Sequence, residues 1–316
     1  MIASFVIALA GVVIGAVAAY VGERGAAARA ARTEAMNISL RDAPLEDAAY
    51  LAREKIVQRV LSGAVLERLP VPEMTGSKKV KPKVIIVFDD MGIDRRAFEQ
   101  VAQLPGPLTL AFLPYAKDVD ALADQAREAG LELMLHLPMQ PQGSADPGPH
   151  ALKADMTGAA FLKELEWNLN RFDGYVGVNN HMGSKLTTDE AAMKTVLAYL
   201  KHEGLFFLDS VTTGDTVVRS AGAMVDARIL SRDVFIDAED SKIAIIRLLE
   251  LVERIAIETG YVIAICHPRQ ATIDILGPWL TSAPYRGFDV TTLSALIDFQ
   301  DKQNSPLMVE APALRL

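Results

Sequence analysis

Between residue 84 and about residue 300, short apolar runs alternate with segments of helical spacing, and this limits the fold more than any other feature. The runs fall at 84–88, 108–112, 131–135, 175–178, 205–208, 234–237, 261–266 and 288–290. Helical patterns lie between them, near 94–103, 118–129, 158–172, 187–203, 241–259, 272–281 and 292–300. Residues 210–232 are less regular and predict one short helix. Strands that alternate with helices form a parallel sheet, whose strands are apolar on both faces. The punctuation agrees: Gly130, Gly204 and Gly260 stand where helices should end. Thr187 with Glu190 has the form of a capping box, and Ser241 is a candidate N-cap.

Several runs end in a residue that can hold a metal or carry a proton. The first ends in Asp89-Asp90, the third in His136 and the fourth in Asn179-Asn180-His181. The fifth ends in Asp209 and the seventh in His267. Parallel sheets carry function at the carboxyl ends of their strands. An open doubly wound sheet gathers its site at one switch point, whereas ends scattered over the first to the seventh strand meet only if the sheet curls. The expected fold is therefore α/β, a distorted TIM-like (β/α) barrel of about seven or eight parallel strands, preceded by an N-terminal apolar helix and a linker.

The expected organisation is a segment 1–22, a linker 23–82 with an amphipathic helix at about 42–69, the barrel at 83–303, and an irregular tail at 304–316. Residues 2–21 carry no charge and, at about 1.5 Å per residue, would span a bilayer core of roughly 30 Å. They read as a membrane anchor or the core of a signal segment. Arg24, Arg29 and Arg32 follow, a charge bias that would favour a cytoplasmic body. A net charge of −8 argues against a nucleic-acid partner, which calls for a basic face. The single cysteine, Cys266, excludes an intrachain disulfide and reads as a small apolar core residue. No Walker A motif or G-x-G-x-x-G dinucleotide fingerprint is present.

The polar run ends suggest particular chemistry. Two adjacent carboxylates repel, so one should be harder to ionise unless a cation lies beside them. One of Asp89 and Asp90 could then bind a metal while the other serves as a base, with Gly92 permitting the turn that brings both to the mouth. Two histidines and an aspartate, here His136, His181 and one member of the pair, are a common set for zinc or a similar divalent ion. Asp209 is expected to orient a histidine or touch substrate, with Asn180 and Ser184 nearby. His267, held extended by Pro268, is a candidate general acid or base. Asp237, with Glu239 and Asp240, reads as a solvated acidic turn, and His150 and His202 as surface residues.

Five segments together resemble the divergent polysaccharide deacetylase family: Lys83 to Gly92, Leu135 to Pro141, Gly177 to Ser184, Phe207 to Ser210, and Cys266 to Pro268. The resemblance extends over roughly residues 80–300. It implies a distorted (β/α) barrel and metal-dependent removal of acetyl groups from an envelope polysaccharide or peptidoglycan-type substrate. In the related carbohydrate esterases a Thr-Phe-Asp-Asp motif supplies a base and then a metal ligand. Matched by Val87-Phe88-Asp89-Asp90, it implies Asp89 as base and Asp90 as ligand. Their His-Ser/Thr-x-x-His motif supplies two ligands. Here His136 matches the first, Gln140 occupies the position of the second, and His181 is taken as its replacement. Their Leu-x-His motif supplies an acid, and Ile265-Cys266-His267 matches it. The implied ion is most simply zinc, and the implied location is the cell envelope, exported or anchored to the inner membrane. The departure at Gln140 also supports a second reading, a non-catalytic glycan-binding or envelope-assembly protein on the same barrel.

Overall fold

The computed structural model describes residues 80–304. The expected apolar segment, the helix at about 42–69 and the tail from 305 lie outside the described residues. Among the described residues no helix is long and apolar enough to cross a membrane.

The chain runs β1 (Lys83–Met91), α1 (Arg95–Val101), β2 (Thr109–Phe112), α2 (Val119–Glu128), β3 (Glu132–Met139), α3 (Gly158–Leu169) and β4 (Gly177–Met182). It continues through a 3-10 turn to α4 (Glu190–His202), β5 (Phe206–Asp209), α5 (Val218–Val225), β6 (Ile229–Ser231) and β7 (Val234–Phe235). Then follow α6 (Lys242–Thr259), β8 (Tyr261–Cys266), α7 (Gln270–Ser282), β9 (Asp289–Thr291) and α8 (Leu293–Asn304).

All pairings are parallel, in the order β6-β5-β4-β3-β2-β1-β8-β7, with β9 beside the first residues of β1. The two edge strands are consecutive in the chain, with only Arg232 and Asp233 between them. Three Cα steps span at most about 11 Å, so the edges must lie side by side and the sheet is rolled into a barrel. The seam is stitched at this point. Arg232 N donates to Asp209 O at 3.0 Å, Asp233 N to Ile263 O at 2.8 Å, and Ile263 N to Asp233 Oδ2 at 2.8 Å. The strand expected at 234–237 is realised as β7, pairing with β8, whereas β6, pairing with β5, lies in the stretch 210–232 for which the sequence predicts only one short helix.

Side-chain alternation sorts each strand into two files. Ile85, Val87, Ala111, Met134, Phe206, Leu208, Leu230, Ile263 and Ile265 form one buried cluster, the lining of the barrel. Leu293 and Leu296 of α8 belong to the same cluster and plug its base. Glu132 fastens the plug: its carboxylate accepts from Leu293 N at 2.9 Å, Ser294 N at 3.0 Å and Thr109 Oγ1 at 2.8 Å. The alternate file, including Val84, Ile86 and Phe88, packs against the helices and is fully buried.

One local expectation fails for an identifiable reason. The helix after β4 is capped by Asp189, which accepts from Ala192 N at 3.0 Å, while Thr187 turns its hydroxyl onto Gly183 O at 2.9 Å. A 3-10 turn at Leu186–Thr188 intervenes, so the Thr187–Glu190 spacing is not a capping box. Ser241 occupies the N-cap of α6 but makes no side-chain cap bond. β3 and β4 also outlast their apolar runs, reaching Met139 and Met182. His136 and Asn179-Asn180-His181 are therefore ladder residues inside strands rather than loop residues after them.

Candidate active site and metal centre

The inward file carries the site. Continuing by steps of two beyond the lining residues, Ile85 and Val87 lead to Asp89, Met134 to His136, Leu208 to Ser210, and Ile265 to His267, and the β3–β4 register sets Asn179 beside His136, with His181 two residues further on. Asp90 is out of phase. It reaches the mouth because its backbone is left-handed, at φ 58°, where the β1–β2 register slips between Phe88 and Met91. The turn thus begins two residues earlier than a turn at Gly92 alone. Gly92, at φ 99°, still has its part: an added Cβ would lie 2.8 Å from Ala116 Cβ.

Three ligand atoms converge here. Asp90 Oδ1 lies 2.9 Å from His181 Nδ1 and 3.3 Å from His136 Nε2, and the two ring nitrogens are 3.2 Å apart. Donors held at 2.0–2.1 Å around one zinc ion sit roughly 3 Å apart, so the triangle has the right size. Asp90 Oδ1 is shut off from solvent yet makes no properly directed hydrogen bond, as expected of an atom whose partner is a cation. The donor set, two imidazoles and a carboxylate, suits zinc or a similar divalent ion. Burial alone would raise the Asp90 carboxyl; the adjacent imidazoles of His136 and His181 outweigh it and hold this carboxyl well below the ordinary range. Burial likewise opposes the charged form of His136, but Asp89 and Asp90 overcome it and raise that imidazole.

Asp89 lies beside the triangle, with Oδ2 3.7 Å from His136 Nε2. Burial raises its carboxyl, and the Asp90 charge adds to this, against the opposing influence of His136, His267 and the Asn179 amide. The two neighbours are thus split, one acidic and one reluctant to ionise, as close carboxylates should be. His267 faces the same mouth, with Nε2 3.6 Å from Asp90 Oδ2.

Asp237 corrects the sequence reading. It is no solvated turn residue: it is fully buried, accepting from His267 N at 2.8 Å, lying 3.1 Å from His267 Nδ1, and accepting from Thr272 Oγ1 at 2.9 Å. Burial opposes the charged form of His267, but Asp237, Asp89 and Asp90 together raise it. The register places Phe235 beside Ile265, so two residues further on Asp237 falls beside His267. The signal was strand parity, but reading it requires knowing which strand is the neighbour.

Asp209 meets the opposite fate. It is one residue out of phase with Leu208, and both its oxygens face its own loop, accepting from Val211 N and Thr216 Oγ1, each at 2.8 Å. It orients no histidine; Asp237 and Asn179 do. Burial raises the Asp209 carboxyl against those two bonds and the nearby Arg232 and Arg219. Asn180 is also out of phase. It bonds Met182 O and Ser210 N, bracing the rim. Ser184 Oγ accepts from Gln142 N at 2.8 Å, tying the loop after β3 to that after β4. Gln140 holds the same loop by accepting from Ala154 N at 3.0 Å, and it takes no part in the triangle.

Sequence reasoning missed two further residues. Asn179 accepts from His136 Nδ1 at 2.8 Å and donates to Asp89 Oδ1 at 2.7 Å. Tyr115, beyond β2, is close enough for the Asp90 charge to add to the effect of burial in raising its phenol. Its ring packs so tightly on Gly148 that an added Cβ there would lie 2.7 Å away. Cys266 is fully buried, and burial, followed by the charges of Asp237 and Asp89, pushes its thiol up, as befits a packing residue.

Fold and site together define an α/β barrel of the polysaccharide-deacetylase type, with a place for a divalent ion at the carboxyl ends of its strands. The model of the divergent polysaccharide deacetylase family matches residues 86–297. The chain belongs to that family. It is 31% identical over 242 residues to the uncharacterized protein YibQ of Escherichia coli (strain K12), a match covering 75% of this chain and 72% of the relative. It is 30% identical over 202 residues to an uncharacterized protein of Haemophilus influenzae, covering 64% of this chain and 72% of the relative. A crystal structure of an uncharacterized protein from Agrobacterium tumefaciens C58 superposes with a TM-score of 0.67 at 26% identity, covering 70% of this chain and 91% of the other.

Proposed function

We propose that this protein is a divalent-metal-dependent hydrolase that removes acetyl groups from an envelope polysaccharide or peptidoglycan-type glycan. The observation that carries this reading is the convergence of Asp90 Oδ1, His136 Nε2 and His181 Nδ1 within 3.3 Å of one another, with Asp89 and His267 flanking them. Asp90, His136 and His181 would hold the ion, zinc being the simplest choice. A divalent ion bound there supplies Lewis acidity, easing loss of a proton from water and polarising an acetyl carbonyl.

The chain's own groups do the rest. Asp89 takes the proton of the attacking water, and the water oxygen bonds to the acetyl carbon. His267, its Nδ1 held by Asp237 and its Nε2 facing the mouth, gives a proton to the leaving nitrogen or oxygen as that bond breaks. The products are acetate and a free amine or hydroxyl. Asn179 and Asp237 keep the two proton carriers aimed at the same point.

An envelope substrate would place the barrel outside the cytoplasmic membrane, with residues 2–21 serving for export or anchorage. The test is acetate release from a panel of N- and O-acetylated glycans in the presence of Zn²⁺, Co²⁺ or Mn²⁺. Release by the wild type that His181→Ala abolishes supports the reading. Tight binding of peptidoglycan fragments with no acetate under any metal would favour the glycan-binding alternative, which the structural use of Gln140 supports.

A further inference from the structure

The side chain of Asn179 is completely buried and lies between the two halves of the site. Its two ends are chemically different, so its orientation carries information. Nδ2 donates to Asp89 Oδ1 at 2.7 Å and to Ser210 Oγ at 3.2 Å, which leaves Oδ1 to face His136 Nδ1 at 2.8 Å. An amide oxygen can only accept. His136 must therefore carry its proton on Nδ1, leaving a lone pair on Nε2, the atom that faces Asp90 and His181. An amide nitrogen can only donate, so the Asp89 oxygen it meets must be an acceptor.

The flipped amide would reverse both demands. It would present N–H to His136 Nδ1, forcing the proton to Nε2 and removing the lone pair from the triangle. It would also present oxygen to Asp89, which would then have to be protonated. The ionised Asp89 carboxylate discriminates between the two, since it can only accept and so calls for the amide nitrogen at 2.7 Å; the Ser210 hydroxyl accepts from the same nitrogen at 3.2 Å.

We propose that Asn179 is a positioning residue that makes His136 a ligand and Asp89 a base through the single orientation of one amide. This rests on the ligand and base roles assigned above. It goes beyond them by making the two roles a single property of the amide.

The test uses metal-free full-length protein with ¹⁵N-labelled histidine, observed by NMR, alongside calorimetric titration with Zn²⁺. In the wild type the neutral His136 ring should show the Nδ1–H tautomer. Asn179→Leu should lose that preference and bind Zn²⁺ about 10- to 100-fold more weakly. Asn179→Ala, which removes both amide contacts with less bulk, should shift both readouts in the same direction. Asn179→Asp retains an acceptor for Nδ1–H but has no donor for Asp89. It should keep the tautomer and bind Zn²⁺ no more weakly than wild type, while acetate release falls by about 100-fold or more. This separation is one that loss of packing would not produce. If Asn179→Leu does not fold, the other two variants carry the test. An Nε2–H tautomer in the wild type, or unchanged tautomer and zinc affinity across the folded variants, overturns the proposal. If tautomer and affinity respond as stated but the wild type releases no acetate from any glycan, the hydrolase reading fails and the role of Asn179 toward His136 stands.

Discussion

Asp237→Asn separates the positioning of His267 from the rest of the site. The native carboxylate accepts from three donors within 3.1 Å: the His267 amide, the His267 ring and the Thr272 hydroxyl. An asparagine of the same shape keeps one accepting oxygen, so while His267 is protonated at least one of these contacts becomes donor against donor. A stranded buried donor costs about 1–3 kcal/mol. For a domain of this size that lowers the melting temperature by about 2–12 °C. The second effect is electrostatic. His267 is raised because Asp237, Asp89 and Asp90 together overcome burial. Losing an adjacent opposite charge moves a pKa by about one to three units, here downward. The sign follows. A histidine raised in the folded state stabilises the fold fully below its unfolded value of about 6.5, and that contribution fades as pH rises through the folded value. In Asp237→Asn the His267 NMR titration should move to lower pH. The fade in stability should move with it, and so should the alkaline limb of acetate release, which needs protonated His267. Measured together, ring titration, thermal melts across pH and rate profiles should shift as one. A His267 titration unchanged in a folded variant would refute the assignment of Asp237 as the group that holds this ring.

Other perturbations address other parts. His181→Ala and His136→Ala each remove a corner of the triangle and should weaken Zn²⁺ binding by at least about 100-fold in calorimetry, with the domain still folded. Asp89→Asn should reduce acetate release by about 10²- to 10⁴-fold while leaving zinc bound, since it removes a proton acceptor and no ligand. Saturating zinc should raise the melting point of the wild type, by about 2.7 kcal/mol of stabilisation at one hundred times Kd, and chelator should reverse the gain; Asp90→Ala should respond to neither. Asp233→Ala removes the side-chain acceptor of Ile263 N at the barrel seam. It should destabilise by about 1–3 kcal/mol in urea unfolding without altering zinc affinity.

Much of this architecture was legible along the chain because it is local. Apolar runs and helical spacing marked each strand and helix, and the polar run ends predicted a rolled sheet before any contact was known. Strand parity was legible only in part. Both faces of a buried parallel strand are apolar, so the sequence does not mark which file lines the barrel. Once the lining is known, steps of two place Asp89, His136, Ser210 and His267 inward and leave Asp209 out of phase.

The tertiary structure decided what parity cannot. Asp90 breaks the alternation through a left-handed backbone at a register slip, which exists only because β1 meets β2 there. Asp237 looks like a surface acid until β8 and α7 bring His267 and Thr272 onto it from 30 and 35 residues away. Asn179 gains its meaning from His136, 43 residues distant, and Asp89, 90 residues distant. Local sequence dictates which way a side chain points. Whether that direction ends in water, in a partner carboxylate or beside a second ligand depends on strands that are distant in sequence and adjacent only after the barrel closes.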